Sequence, residues 1–245
     1  MLGDCAFCSY ADLIFIQNYS CDAIFRLSQA RKNQVERGRR EALCAIGNGY
    51  FVTRAAAPEA TADDIHYPGT YRAGLYNRLV SHIEGEDVDD ESLVNLPNWL
   101  PLTFRIDEGD WFSIDDVEIL AYRQILYLRH GLLHREIQFC DRQGRQTMLR
   151  EHRFVSMAQP HLAGLRVEQT AQNWSGNLEI RSALDGCVIN NNVERYAGYS
   201  KQHLEPLETG TIDPEGIWLA MRTRNSRIDV ALAARTRVFV DGREA

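Results

Sequence analysis

What the sequence does not contain narrows its function before any motif is considered. It has no excess of positive charge: 27 lysines and arginines stand against 34 acidic residues, a formal net charge of −7. Nucleic-acid binders carry a basic patch or stripe, and the densest basic stretch, Arg31 to Arg40, is interspersed with Gln, Asn and Glu. It reads as a solvated helix face, so a polyanion partner is not expected. Long apolar runs are missing too. Leu13-Ile14-Phe15-Ile16 is too short to span a bilayer and follows acidic rather than basic residues, which argues against a membrane span or a secretory signal.

The six cysteines, at 5, 8, 21, 44, 140 and 187, form no repeating framework. In a chain of this length they read as reduced thiols of a cytoplasmic protein. Cys5 and Cys8 make a lone C-x-x-C with neither a second pair nor histidines at zinc spacing, so no metal or redox cofactor is expected. Gly-rich phosphate loops, H-E-x-x-H and G-x-S-x-G are likewise missing. The paired carboxylates, Asp89-Asp90-Glu91 and Asp115-Asp116, are adjacent, and neighbours on a strand point to opposite faces. They read as solvated residues.

What is present is a two-residue rhythm. Leu133, Ile137 and Phe139 alternate with His134, Glu136 and Gln138, followed by the turn Asp141-Arg142-Gln143-Gly144 and a partner strand from Thr147 to Met157. Alternation returns at Ala163-Leu165-Val167, Leu178-Ile180 and Ile217-Leu219-Met221, with turn signals between the runs. This pattern predicts an all-β fold, a large antiparallel β-sandwich or supersandwich. Before it, Asp22 to Cys44 shows a weak helical stripe through Ile24, Leu27 and Val35. Residues 1–37 are therefore expected to form a helical or irregular leader outside the sandwich, which occupies 38–245.

Four segments carry a more specific signal: Arg40-Glu41-Ala42-Leu43-Cys44-Ala45-Ile46-Gly47-Asn48-Gly49-Tyr50-Phe51, Tyr67-Pro68-Gly69-Thr70-Tyr71, Leu93-Val94-Asn95-Leu96-Pro97-Asn98-Trp99-Leu100-Pro101-Leu102, and Arg181-Ser182-Ala183-Leu184-Asp185-Gly186. Asn48-Gly49 and Pro68-Gly69 are turn dipeptides. Pro97 and Pro101 bar the stretch between them from a central strand and suggest a rigid projecting loop. Asp185-Gly186 suggests a hairpin or corner.

In order and spacing these segments resemble the N-terminal domain of glycoside hydrolase family 65, the family of maltose, trehalose and kojibiose phosphorylases, over residues 38 to 240. The resemblance implies a non-catalytic β-sandwich whose partner, a C-terminal helical barrel missing here, holds the catalytic Glu. The parent enzyme would cleave a trehalose, maltose or kojibiose type of disaccharide with inversion, by hydrolysis or with inorganic phosphate as co-substrate, and would form a homodimer. No cofactor is implied. The rival readings are a stand-alone carbohydrate-binding or protein-interaction sandwich, and a non-functional gene fragment.

Six residues are candidates to face the barrel or the substrate: Tyr50, Arg54, Glu59, Tyr71, Asn95 and Trp99. Trp99 has two readings, a face for a sugar ring or a ring buried at a domain contact. Arg54 and Glu59 either reach the barrel or are satisfied within the domain. An exposed apolar docking patch is expected near Tyr50, Tyr71, Leu96 and Trp99. One departure stands out. Ala55 occupies a position where the family has glycine, and a positive φ there would cost about 1 kcal/mol or more.

Overall fold

A computed structural model of the chain describes residues 24–28, 34–191 and 198–245. The elements, in order, are β1 (Ile24–Ser28), α1 (Gln34–Leu43), β2 (Ile46–Gly47), β3 (Phe51–Thr53), β4 (Thr70–Arg72), β5 (Tyr76–Ile83), β6 (Glu86–Leu93) and β7 (Leu102–Ile106). A 3-10 turn (Ile114–Asp116) precedes β8 (Glu118–Tyr127), β9 (Leu132–Cys140), β10 (Gln146–Val155), β11 (Ala163–Ala171) and β12 (Leu178–Ser182). The chain continues through β13 (Leu204–Asp213), β14 (Gly216–Thr223), β15 (Asp229–Arg235), β16 (Phe239–Val240) and β17 (Arg243–Glu244).

Every named strand pair is antiparallel, as the alternation predicted. The main sheet has the order β1-β8-β9-β10-β11, and β13-β14-β15, β2-β3-β4 and β7-β12 form smaller sheets. In β9 and β10 burial alternates strictly. Leu133, Arg135, Ile137 and Phe139 point inward, and so do Thr147, Leu149, Glu151, Arg153 and Val155. That inner face packs on three clusters. Phe139, Ile137 and Leu149 meet Phe104, Ile106 and Phe112. Leu133 and Val155 meet Cys44, Ile46 and Ala55. From β11, Leu165 joins Leu219, Met221, Leu100 and Leu184. Sheets facing one another across a shared apolar layer make this a sandwich.

Several sequence expectations are corrected. Ile24–Ser28, placed in the helical leader, instead pairs along β8 from Ile24 opposite Tyr127 to Ser28 opposite Arg123. The helix is confined to Gln34–Leu43. The rest of the leader, including Cys5 and Cys8, lies outside the described residues. Cys44 and Cys140 are free thiols, but Cys187 is disulfide-bonded, to a partner outside the described residues, so the six are not all reduced. Residues 97–101 do not project. Val94 to Leu100 are buried, and Asn98 forms an antiparallel bridge with Asp185, N–H to O distances of 2.8 and 2.9 Å. The prolines keep this stretch out of a long ladder, yet one bridge suffices to seat it in the core. Of the hairpin or corner expected at Asp185-Gly186, the corner is what forms, with Asp185 Oδ1 accepting from the Cys187 N–H at 2.8 Å. Ala55 has no positive φ and is buried, so the expected strain is not present.

Two glycines meet specific demands. Gly49 has φ +84°, as the Asn-Gly turn signal requires. A Cβ at Gly69 would lie 2.8 Å from Arg54 Cδ and 2.9 Å from the Tyr71 ring, so any side chain there would have to push Arg54 or Tyr71 aside.

Candidate functional site

Three features of the described residues bring chemistry-bearing groups together: two buried polar networks and one groove.

The first network grows from β9 and β10. Arg135 and Glu151 are cross-strand partners on the inner face. Arg135 donates from Nε to Glu151 at 2.7 Å, and its two terminal nitrogens grip both oxygens of Glu59 at 2.7 and 2.6 Å. Arg153, two residues along from Glu151, donates to Glu151 at 2.5 Å and to the Ala56 carbonyl at 2.8 Å. Two arginines and two glutamates thus neutralise one another inside the sandwich. Burial alone would raise the Glu151 carboxyl, but Arg153 and Arg135 outweigh it and hold the group below its usual range. Glu59 is therefore satisfied within the domain, and it pins the loop after β3 to the main sheet. The alternation that located Leu133 and Ile137 also places Arg135 between them. A charged residue at a core-facing strand position, with Glu151 and Arg153 two apart on the next strand, was the available signal.

The second network gathers Arg54, Tyr71 and Asn95. Arg54 donates to the Tyr67 carbonyl at 2.9 Å, lies over the Tyr67 ring, and comes within 3.7 Å of Glu41. Glu41 also receives the Tyr67 N–H at 2.9 Å and lies 2.8 Å from His66 Nδ1. Tyr71 donates its hydroxyl to that of Tyr67 at 2.9 Å, and burial pushes its pKa well up. Asn95 accepts from the Thr70 N–H at 3.0 Å and donates to the Ile189 carbonyl at 3.1 Å. These side chains lock the turn at Pro68-Gly69 against the segment 93–100. They are an internal brace.

The groove, of about 790 Å³, lies between β15 and a wall built from β3, β4 and the β10–β11 turn. Tyr50 and His161 stand on that wall, rings edge to face at 4.3 Å, with Arg72 over Tyr50 at 4.8 Å. Leu75, Leu96, Pro97 and Trp99 also line it. Leu96 and Trp99 are only 8% and 7% exposed, so the expected apolar patch is not an exposed one at these two residues. These residues lie in a depression instead, and Tyr71 does not line it. Trp99 Nε1 is buried without a hydrogen-bond acceptor. Of the six candidates, Tyr50 and Trp99 share the groove, Arg54, Tyr71 and Asn95 share the brace, and Glu59 stands apart with Arg135.

None of these features pairs an open acid with a nucleophile. Glu41, Glu59 and Glu151 are all engaged by Arg or His. Residues 27–245 match the model of glycosyl hydrolase family 65, N-terminal domain. The chain belongs to this family. Its relatives include a protein of Mycobacterium tuberculosis named as an uncharacterized glycosyl hydrolase, 50% identical over 203 residues, covering 83% of this chain and 15% of that protein. Trehalose 6-phosphate phosphorylase of Lactococcus lactis subsp. lactis is 32% identical over 82% of this chain and 25% of its own length. Kojibiose phosphorylase of Caldanaerobacter subterraneus subsp. tengcongensis is 28% identical, over 89% and 27% respectively. The chain thus spans between about a seventh and a quarter of the length of these relatives. A solved structure from the human microbiome, provisionally named a kojibiose phosphorylase, superimposes with TM-score 0.72 at 18% identity over 89% of this chain, which establishes the shared fold.

For a family-65 N-terminal domain, the arrangement makes physical sense. Its charged interior residues fasten loops to sheets, and its accessible concavity is mostly apolar.

Proposed function

We propose that this domain is the non-catalytic N-terminal sandwich of an enzyme that cleaves α-glucosidic disaccharides of the kojibiose, trehalose or maltose type, by inverting phosphorolysis or hydrolysis. The catalytic acid, and in a phosphorylase the site for inorganic phosphate, belong to a helical barrel elsewhere in such a polypeptide. Inverting cleavage needs a carboxylic acid at the leaving oxygen and a nucleophile on the opposite face. The carrying observation is that, among the described residues, the buried carboxylates Glu41, Glu59 and Glu151 are consumed by arginine or histidine, in a chain that matches only a small fraction of its phosphorylase relatives. On this reading Tyr50, with Arg72 and His161, faces the barrel, while Arg54, Glu59, Tyr71, Asn95 and Trp99 support that surface from within. Pairing of two copies of the parent enzyme is part of the same proposal.

No helix among the described residues is long and apolar enough to cross a membrane. The cytoplasmic reading rested on six free thiols, and the Cys187 disulfide removes that support.

The test is calorimetric titration of the purified chain with kojibiose, trehalose and maltose. No saturable heat is expected up to millimolar sugar. Binding that Trp99→Phe abolishes would favour the stand-alone carbohydrate-binding module, against which the burial of Trp99 argues.

A further inference from the structure

We propose that the outer edge of β15 is a docking site for an extended polypeptide strand, which lies in the groove and adds to the β13-β14-β15 sheet. This inference does not depend on which sugar the parent enzyme uses.

The ladder between β14 and β15 sets the direction of each main-chain group along the edge. Thr223 N–H donates to the Ile228 carbonyl and Thr236 N–H to the Glu215 carbonyl, each at 3.0 Å. Between these bonds the register runs Met221 to Val230, Leu219 to Leu232 and Ile217 to Ala234. Main-chain groups of an antiparallel strand alternate in direction at each residue. Val230, Leu232 and Ala234 therefore bond inward to β14, while Asp229, Ala231 and Ala233 turn their N–H and C=O groups outward. No strand among the described residues occupies that outer side. The groove also follows the edge and not a face. Every residue from Ile228 to Arg235 lines it, whereas a face would contribute only alternate ones. At about 3.3 Å per residue, β15 offers roughly 23 Å of edge.

Chemistry selects the occupant. A sugar or nucleotide site needs several convergent polar side chains. Here those on β15 and beside it are engaged, Asp229 by Arg222 at 2.8 Å and Asp213 by Arg235 at 2.7 Å. What remains unmet along β15 itself is neutral, the outward main-chain groups of Ala231 and Ala233, while Tyr50, Arg72 and His161 stand on the facing wall. Peptide backbone is the complement of such a set, and aliphatic walls at Leu162, Ile212 and Ile228 suit apolar side chains at alternate positions. A second copy of β15 is the rival occupant, and it would show as protection of Ala231 and Ala233 in the free chain, where both are exposed.

The test titrates the isotopically labelled chain with a short synthetic peptide that alternates threonine and valine between two terminal lysines. Amide exchange at Ala231 and Ala233, fast in the free chain, should slow at least about tenfold, with Val230 and Leu232 already protected. Ala233→Pro removes one outward donor and no bond to β14, a placement that edge strands tolerate, so the chain should fold and lose the protection. The same peptide N-methylated at alternate residues should fail on the unmodified chain, which keeps the question open to refutation if the variant does not fold. Equal binding by Ala233→Pro or by the N-methylated peptide, no slowing at Ala231 and Ala233, or full protection of both in the free chain would each overturn the proposal.

Discussion

Arg135 is the residue on which the interior charge balance turns, because it contacts both Glu59 and Glu151. Removing one partner of a buried ion pair leaves the other charged and desolvated, which costs about 3–5 kcal/mol. Glu59→Ala should therefore lower the thermal midpoint substantially, by roughly 2–4 °C for each kcal/mol at this size. Thermal unfolding followed by circular dichroism measures it, and an unchanged midpoint would show that the Arg135 pair contributes little. On the opposite face of the same strands, His134 Nδ1 and His152 Nε2 lie 2.9 Å apart. Burial first, then the His152 charge, lowers the His134 pKa from 6.5 to about 4, and burial lowers that of His152 as well. Glu136 and Glu168 pull these values up, while Arg123, Arg150 and Arg166 push them down. Groups held below their unfolded pKa bind fewer protons in the native state, so stability is full above pH 6.5 and declines toward pH 4. The midpoint should fall by several degrees between pH 7 and pH 5, and His152→Gln should flatten that slope. A midpoint that rises over the same interval would contradict the assignment.

Elements differed in how much of them the sequence disclosed. β9 and β10 were legible because one side of each is buried along its whole length, so apolar residues recur at every second position. β14 was legible for the same reason. β12 was not so simple. Leu178 and Ile180 alternate correctly, yet both remain more than a third exposed, since β12 has β7 as its one sheet neighbour. β1 was misread as helix because Ile24 and Leu27 also fit a three-residue spacing, and five residues cannot separate the two periods. What decides it is pairing with β8, a long-range contact with no local signature. Truncation resolves its contribution. With the Cys187 disulfide reduced in every chain compared, a chain starting at residue 24 should keep the midpoint of the full sequence. One starting at residue 29 loses β1, uncovers the edge of β8, and should melt a few degrees lower. Equal midpoints would return β1 to the leader.

The whole molecule was read correctly in class and family, because turn dipeptides and four spaced segments survive in the sequence whatever their side chains touch. The candidate site was read less well. Sequence named Tyr50, Arg54, Glu59, Tyr71, Asn95 and Trp99 as one surface, and folding distributes them among a groove, a brace and a buried ion network. Polar residues at strand ends look alike in sequence whether they meet solvent or an arginine from a strand far along the chain. Whether this sandwich carries glycosidic chemistry of its own is tested by incubating the purified chain with kojibiose, trehalose and maltose, with and without inorganic phosphate. Neither glucose nor β-glucose 1-phosphate should appear above a protein-free control. Sustained release of either product that survives further purification of the chain would contradict it.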